Sequence, residues 1–196
     1  MTNIPTKLSQ LSTNSSPALG DFVAGVLANL TADDKVSLQS LLTLFANNLA
    51  VNSYGPYKAS AYLNGSQTSG SGGTPFKILL DTKIYDTSSN FDAVTNHRFV
   101  APIAGIYHVS ADASVFVVNS TDFTGYIFVN GSNAKTGSFA YNSTGGNASI
   151  SSQISADLKL NANDYVELYG NSGRGSITIN TGPTANYMDI SLMYAT

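Results

Sequence analysis

Side chains able to run acid–base, nucleophilic or metal chemistry are sparse in these 196 residues, and their spacing builds no working set. The two histidines, His97 and His108, stand at no ligand spacing from a second His, Asp or Glu. Glutamate occurs once, at Glu167, so the carboxylate pair that hydrolyses glycosides would have to come from aspartates. Asp81, Asp86 and Asp92 offer oxygen ligands for Ca²⁺, but they form no dense loop and read better as turn carboxylates. Asp33-Asp34 read as a turn or helix start. Gly70 to Gly73 lacks the Gly-Lys-Ser/Thr ending of a phosphate loop and leads into a strand. Serine is abundant, yet no Gly-x-Ser-x-Gly is present and no base is placed to activate a hydroxyl. No catalytic residue and no metal ligand is therefore assigned. No cofactor is expected, Ca²⁺ being the one ion left open, and the chain is read as a non-enzyme.

The chemistry that remains is adhesion. Eleven tyrosines are present. Most read as core, interface or sheet-edge residues, while Tyr126 and Tyr141, beside polar loops, are the candidates for contact with a receptor, through stacking on sugars or anchoring of a protein. Hydrophobic residues make up 42% of the chain and charged residues only 11%, so it is globular, with a surface made of Ser, Thr, Asn, Gly and Tyr. A net charge of −3 leaves nothing to neutralise phosphates in quantity, which argues against nucleic acid as a partner. There is no cysteine, hence no disulfide framework. No signal-peptide core and no membrane-spanning stretch is read, so membrane insertion is not expected. Seven Asn-x-Ser/Thr sequons are attributed to composition rather than to glycosylation.

The elements that must position these side chains divide near residue 50. Residues 1–50 read as a small α/β segment: Asp21 to Ala28 as a strand, then Gln39 to Leu49 as a helix. Leu38, Leu41, Leu42, Phe45 and Leu49 form its apolar stripe, which packs either on its own chain or, through Leu38, Leu42, Phe45 and Leu49, as a seam between identical chains. Residues 51–196 have the rhythm of an all-β sandwich or jelly roll of eight to ten strands. Expected strands are Tyr57 to Leu63, an extended run over Phe76 to Tyr85, His97 to Ala101, Ile106 to Val118, Gly125 to Val129, Ala148 to Leu160, Tyr165 to Tyr169, Ser176 to Asn180 and Tyr187 to Tyr194. Asn64 to Thr74 reads as a flexible loop, too polar and Gly-rich to pack. Asn130-Gly131 is the strongest hairpin signal. Along Ile106 to Val118 the faces separate into Tyr107, Val109, Ala111, Ala113, Val115 and His108, Ser110, Asp112, Ser114, one face buried and one not.

Several of these stations, in order, resemble the globular head of complement C1q and the wider C1q/tumour-necrosis-factor-like superfamily, over about three quarters of the chain. They are Phe91-Asp92, then Phe99, then Pro102, Gly105, Ile106 and Tyr107, then Asn130-Gly131, then Leu158, Leu160, Asp164 and Val166, and last Ile190 to Tyr194. Asn163 replaces the usual Gly, a change that a left-handed turn tolerates, and Met188-Asp189 replaces the aromatic-Ser-Gly of the last strand. The resemblance implies a ten-stranded antiparallel jelly roll forming a tight homotrimer, with Tyr107, Leu192 and Tyr194 joining the N-terminal stripe in the seam.

Residues 1–50 resemble a module found at the start of bacteriophage tail-fibre and other virion appendage proteins, through Ser9-Gln10-Leu11, Asp21-Phe22-Val23 and Lys35-Val36-Ser37-Leu38. Together the two resemblances imply a virion fibre, spike or receptor-binding protein, assembled in the host cytoplasm. It would be docked to other virion proteins through residues 1–50 and attach to a host glycan or protein through its head. The loops Asn64 to Thr74, Asn119 to Thr124 and Ser138 to Asn147 would carry recognition. A purely structural decoration protein and a secreted C1q-like binding module share the same features and stay open.

Overall fold

The computed structural model describes residues 57–69, 72–173 and 177–196. The N-terminal segment, its helix and the stripe of Leu38, Leu42, Phe45 and Leu49 lie outside the described residues, as does the expected division near residue 50.

The described residues form thirteen strand segments and no helix. They are β1 (Lys58–Tyr62), β2 (Gln67–Thr68), β3 (Phe76–Lys77), β4 (Thr82–Asp86), β5 (Phe91–Asp92), β6 (Arg98–Val100), β7 (Gly105–Val117), β8 (Thr121–Val129), β9 (Ser132–Asn142), β10 (Ala148–Leu160), β11 (Tyr165–Asn171), β12 (Thr178–Ile179) and β13 (Tyr187–Ala195). All pairings are antiparallel. One sheet has seven strands, in the order β2-β12-β7-β13-β1-β4, with β10 on the free edge of β7. The other has six, in the order β5-β6-β11-β8-β9, with β3 also on β11. This is the jelly-roll sandwich that the strand rhythm predicts.

The two inner faces bury one apolar core. Alternate residues of β7 (Tyr107, Val109, Ala111, Ala113, Val115) meet Phe123 and Ile127 of β8, Val166 and Leu168 of β11, and Met188 and Ile190 of β13, all buried. Burying apolar surface of this kind contributes about 25 cal/mol per Å², and it stabilises only the register in which every alternate residue points inward.

Four expectations are corrected by the backbone. The extended run over Phe76 to Tyr85 is two strands in different sheets. Between them Ile78 and Leu80 are fully buried where the chain crosses the core, with the Ile78 amide bonded to the Leu168 carbonyl. The described part of the Asn64 to Thr74 loop is tied down. Asp81 accepts the amides of Asn64 and Gly65 at 2.8 Å each, Gln67 accepts the Leu79 amide, and β2 pairs with β12. Ser132 to Asn142, assigned to no strand and from Ser138 onward read as loop, is the eleven-residue strand β9; both its faces are largely exposed, so no apolar alternation marks it. The loops placed at Asn119 to Thr124 and Ser138 to Asn147 shrink accordingly, since β8 begins at Thr121 and β9 runs to Asn142.

The fourth correction concerns β7. Its polar face is not uniformly exposed: Asp112 and Ser114 are both buried. The cover is Asn186, itself fully buried, whose side-chain carbonyl accepts the Ser114 amide at 2.8 Å and whose NH₂ donates to the carbonyls of Ser114 and Asn180. A buried polar face is stable only when its donors and acceptors are met in this way.

Candidate functional site

Successive side chains alternate across a strand, so the inward set of β8 and β11 fixes what their outward set must be. With Phe123 and Ile127 inside, β8 presents Tyr126 and Phe128 outward. With Val166 and Leu168 inside, β11 presents Tyr165, Glu167 and Tyr169. In register, Tyr126 lies opposite Tyr169, Thr124 opposite Phe139, and Asp122 opposite Tyr141. Six aromatic side chains therefore share the outer face of the six-stranded sheet: Tyr126, Phe128, Phe139, Tyr141, Tyr165 and Tyr169.

Their contacts hold the middle of the face rigid. Phe128 stacks on Tyr169 at 4.1 Å between centroids and 18° between planes, and Tyr126 meets Phe128 edge-on at 6.3 Å. The Arg98 guanidinium lies 4.1 Å above the Tyr165 ring, a cation–π pairing. Glu167 is buried within this face and is neutralised by Lys77, which also donates to the Asn96 carbonyl. Burial, with the Glu167 carboxylate next to it, pushes the Tyr169 hydroxyl above the usual tyrosine range, so it stays protonated and able to donate. Toward β9 the rings are free: Phe139 is 69% and Tyr141 57% exposed. Such a surface can stack on sugar rings or take up apolar side chains.

Of the two tyrosines assigned to receptor contact, both lie on this face, Tyr141 exposed and Tyr126 half-buried. The other four rings were missed. The alternation that exposes them was legible, but which strands would lie side by side was not.

The stations of the C1q-like resemblance serve as structural pins. Asp92 accepts the amides of Val94, Thr95 and Asn96, which hold its carboxyl well below the usual range. Phe91 and Phe99 are opposite each other in the core, and Phe99 packs on Tyr107 at 5.8 Å. Pro102 sits in the bend before β7, and Gly105 opens that strand. Asn130 and Gly131 take positive φ of 51° and 76°, the hairpin turn between β8 and β9. Asn130 also ties this hairpin to the next: its NH₂ donates to Asp164 at 2.7 Å and its carbonyl accepts the Tyr165 amide. Asn163 takes the left-handed conformation, at φ 72°. The Asn130 side chain and the Asn161 amide hold the Asp164 carboxyl low.

Of the residues assigned to the seam, Tyr107 is fully buried in its own chain, its hydroxyl donating to the Ile103 carbonyl at 2.9 Å, and Leu192 is buried as well. Tyr194 is exposed, next to exposed Met193, because a register shift between Leu192 and Tyr194 breaks the alternation of β13. His108 pairs with Asp157 across β7 and β10 at 2.8 Å, and His97 lies 3.2 Å from the Leu80 carbonyl. Asp86 and Asp92 are committed to their own turns and Asp81 to the Asn64–Gly65 amides, and no group of three metal-binding side chains occurs among the described residues.

No protein-family model matches the sequence, and no curated protein is significantly similar to it. Solved structures do match. Murine APRIL aligns with a TM-score of 0.50 at 11% identity, over 70% of this chain and 98% of that one. The globular domain of zebrafish complement 1qA aligns at 0.48 with 15% identity, over 71% and 99%. The Eiger TNF from S. frugiperda aligns at 0.49 with 14% identity, over 72% and 95%. The fold is a C1q/TNF-like jelly roll. At such identities the likeness speaks for the fold alone.

Proposed function

We propose that this chain is a homotrimeric adhesive component of a bacteriophage virion, a fibre, spike or receptor-binding protein. Its head attaches to a glycan or protein of the host surface, and residues 1–50 dock it on the particle. The observation that carries the adhesive reading is the aromatic face: six rings turned outward on one braced sheet, with its buried carboxylate, Glu167, neutralised by Lys77. Low charge and the module-like N-terminal pattern support the virion setting. Three copies on one rigid body multiply weak contacts into firm attachment without a tight pocket.

The test uses the full chain. Light scattering is expected to give three times 20.5 kDa, and labelled protein is expected to bind some members of a panel of bacterial cells and immobilised bacterial surface glycans. Replacing Phe139 and Tyr141 together by Ala should weaken that binding about tenfold or more with the mass unchanged. A monomeric mass overturns the trimer. Binding unchanged in the double variant overturns the aromatic face, and a trimer that binds nothing on the panel points to a decoration protein instead.

A further inference from the structure

A second site lies on the outer face of the other sheet. Here a cavity of about 420 Å³, a size suited to a small ligand, is lined by Ser60 of β1, Ile84 of β4, Asp112 of β7, Gln153 of β10, Tyr187 and Asp189 of β13, and Pro183 and Thr184 of the loop before it. Register explains the gathering. Gln153, Asp112 and Tyr187 lie in one row across three strands, and Asp189 and Ser60 lie opposite each other in the next.

The charge is unbalanced. Asp112 and Asp189 both line the cavity, and no Lys, Arg or His does. Asp112 is 8% exposed, and its Oδ1 meets no hydrogen-bond donor of the protein. A buried carboxylate oxygen left this way is costly unless a cation or donor comes to it. The negative field is felt next door: burial first, then Asp112 and Asp189, raise the Tyr187 hydroxyl above its usual range. The remaining walls suit an organic group. Ser60, Thr184 and Tyr187 bring hydroxyl oxygens, Gln153 an amide, and Ile84 and Pro183 an apolar side.

We propose that this cavity is a binding site for a small organic cation, an alkylammonium or alkylguanidinium group held between the carboxylates of Asp112 and Asp189. The guanidinium fork presents several donors to such a pair, and its alkyl stem lies against Ile84 and Pro183. A Ca²⁺ ion needs six to eight oxygens in a shell, and it makes no use of the apolar wall of Ile84 and Pro183, which an alkyl stem fills. A neutral sugar would leave the buried charge unbalanced. The proposal does not depend on the aromatic face.

Calorimetric titration of the full chain at about pH 7 with agmatine and with n-butylammonium, against n-butanol as neutral control, tests it. Saturable binding of one cation per chain is expected, with butanol at least about tenfold weaker. Asp112→Asn and Asp189→Asn should each weaken agmatine about tenfold or more, while the aromatic-face double variant leaves it unchanged. The butylammonium–butanol comparison needs no variant and holds even if one fails to fold. The proposal is overturned if neither cation binds saturably, if butanol binds as well as butylammonium, if a folded Asp112→Asn binds agmatine normally, or if Ca²⁺ displaces agmatine at equimolar concentration.

Discussion

Asp112 is a residue at which stability and binding pull apart. Burial disfavours its charged form and raises its carboxyl above the usual range. The folded chain thus holds this proton to higher pH than the unfolded chain does. Its stabilising contribution is complete below the ordinary carboxylate value of about 4 and is lost as pH rises through the folded value. Asp112→Asn removes that loss. Urea unfolding should show the variant more stable by about 1 kcal/mol at neutral pH, with the gain absent near pH 3. A gain that persists in acid would mean the charge is not its cause. At Asn130 the expectation is the opposite. Asn130→Gly keeps the left-handed turn but loses the bonds to Asp164 and Tyr165, and should cost about 1 kcal/mol in the same measurement. The hairpin was legible in the Asn-Gly pair. That its side chain also bonds a turn more than thirty residues away was not. Likewise, nothing local marks Asp112 as buried, because its neighbourhood is covered by the loop around Asn186, 72 residues beyond Ser114.

At the scale of elements, alternation carried the reading well where one face is apolar. The bounds of β10 match the expected strand, and β7 and β13 differ from theirs by a residue at each end or less. It failed where a strand packs by other means. β9 is the case: a Cβ added at Gly137 would come within 2.5 Å of Ile154 and 2.9 Å of the Gln153 carbonyl, so β9 lies directly on β10 there. Ser138 completes the contact, its hydroxyl accepting the Gln153 amide and its carbonyl accepting the Ser152 hydroxyl. Close backbone approach leaves no hydrophobic pattern to read, only a glycine. Gly137→Ala should therefore force the two strands apart and lower stability by about 2 kcal/mol, seen as a lower urea midpoint. Because Phe139 and Tyr141 ride on the displaced strand, the same variant should also weaken adhesion.

For the whole molecule, the exposed step at Met193 and Tyr194 is where the proposed threefold assembly would be broken without touching the core. Replacing both by Asp should turn the trimer to monomers by light scattering and reduce retention on cells by about a hundredfold, since avidity is then lost. The jelly roll was legible from strand rhythm and from the ordered stations between Phe91 and Tyr194. The membership of each sheet was not, because the short pieces β2, β3 and β12 are defined by their partners rather than by their own two residues.

The placement of β13 sets a timetable. It lies between β7 and β1, pairing Ser191 with Lys58 and with His108, so the centre of the seven-stranded sheet stays open until residues 187–195 have left the ribosome. Before then β1 has no neighbour on that side, and the sheet's largest apolar face is unsealed. Contacts this distant along the chain close slowly, on the order of milliseconds to seconds rather than microseconds, which stopped-flow refolding would read directly. A nascent chain arrested before Tyr187 should be cut by protease within the head, whereas one extended past Ala195 and clear of the exit tunnel should resist. For this protein, synthesis must finish the head before folding can begin in earnest.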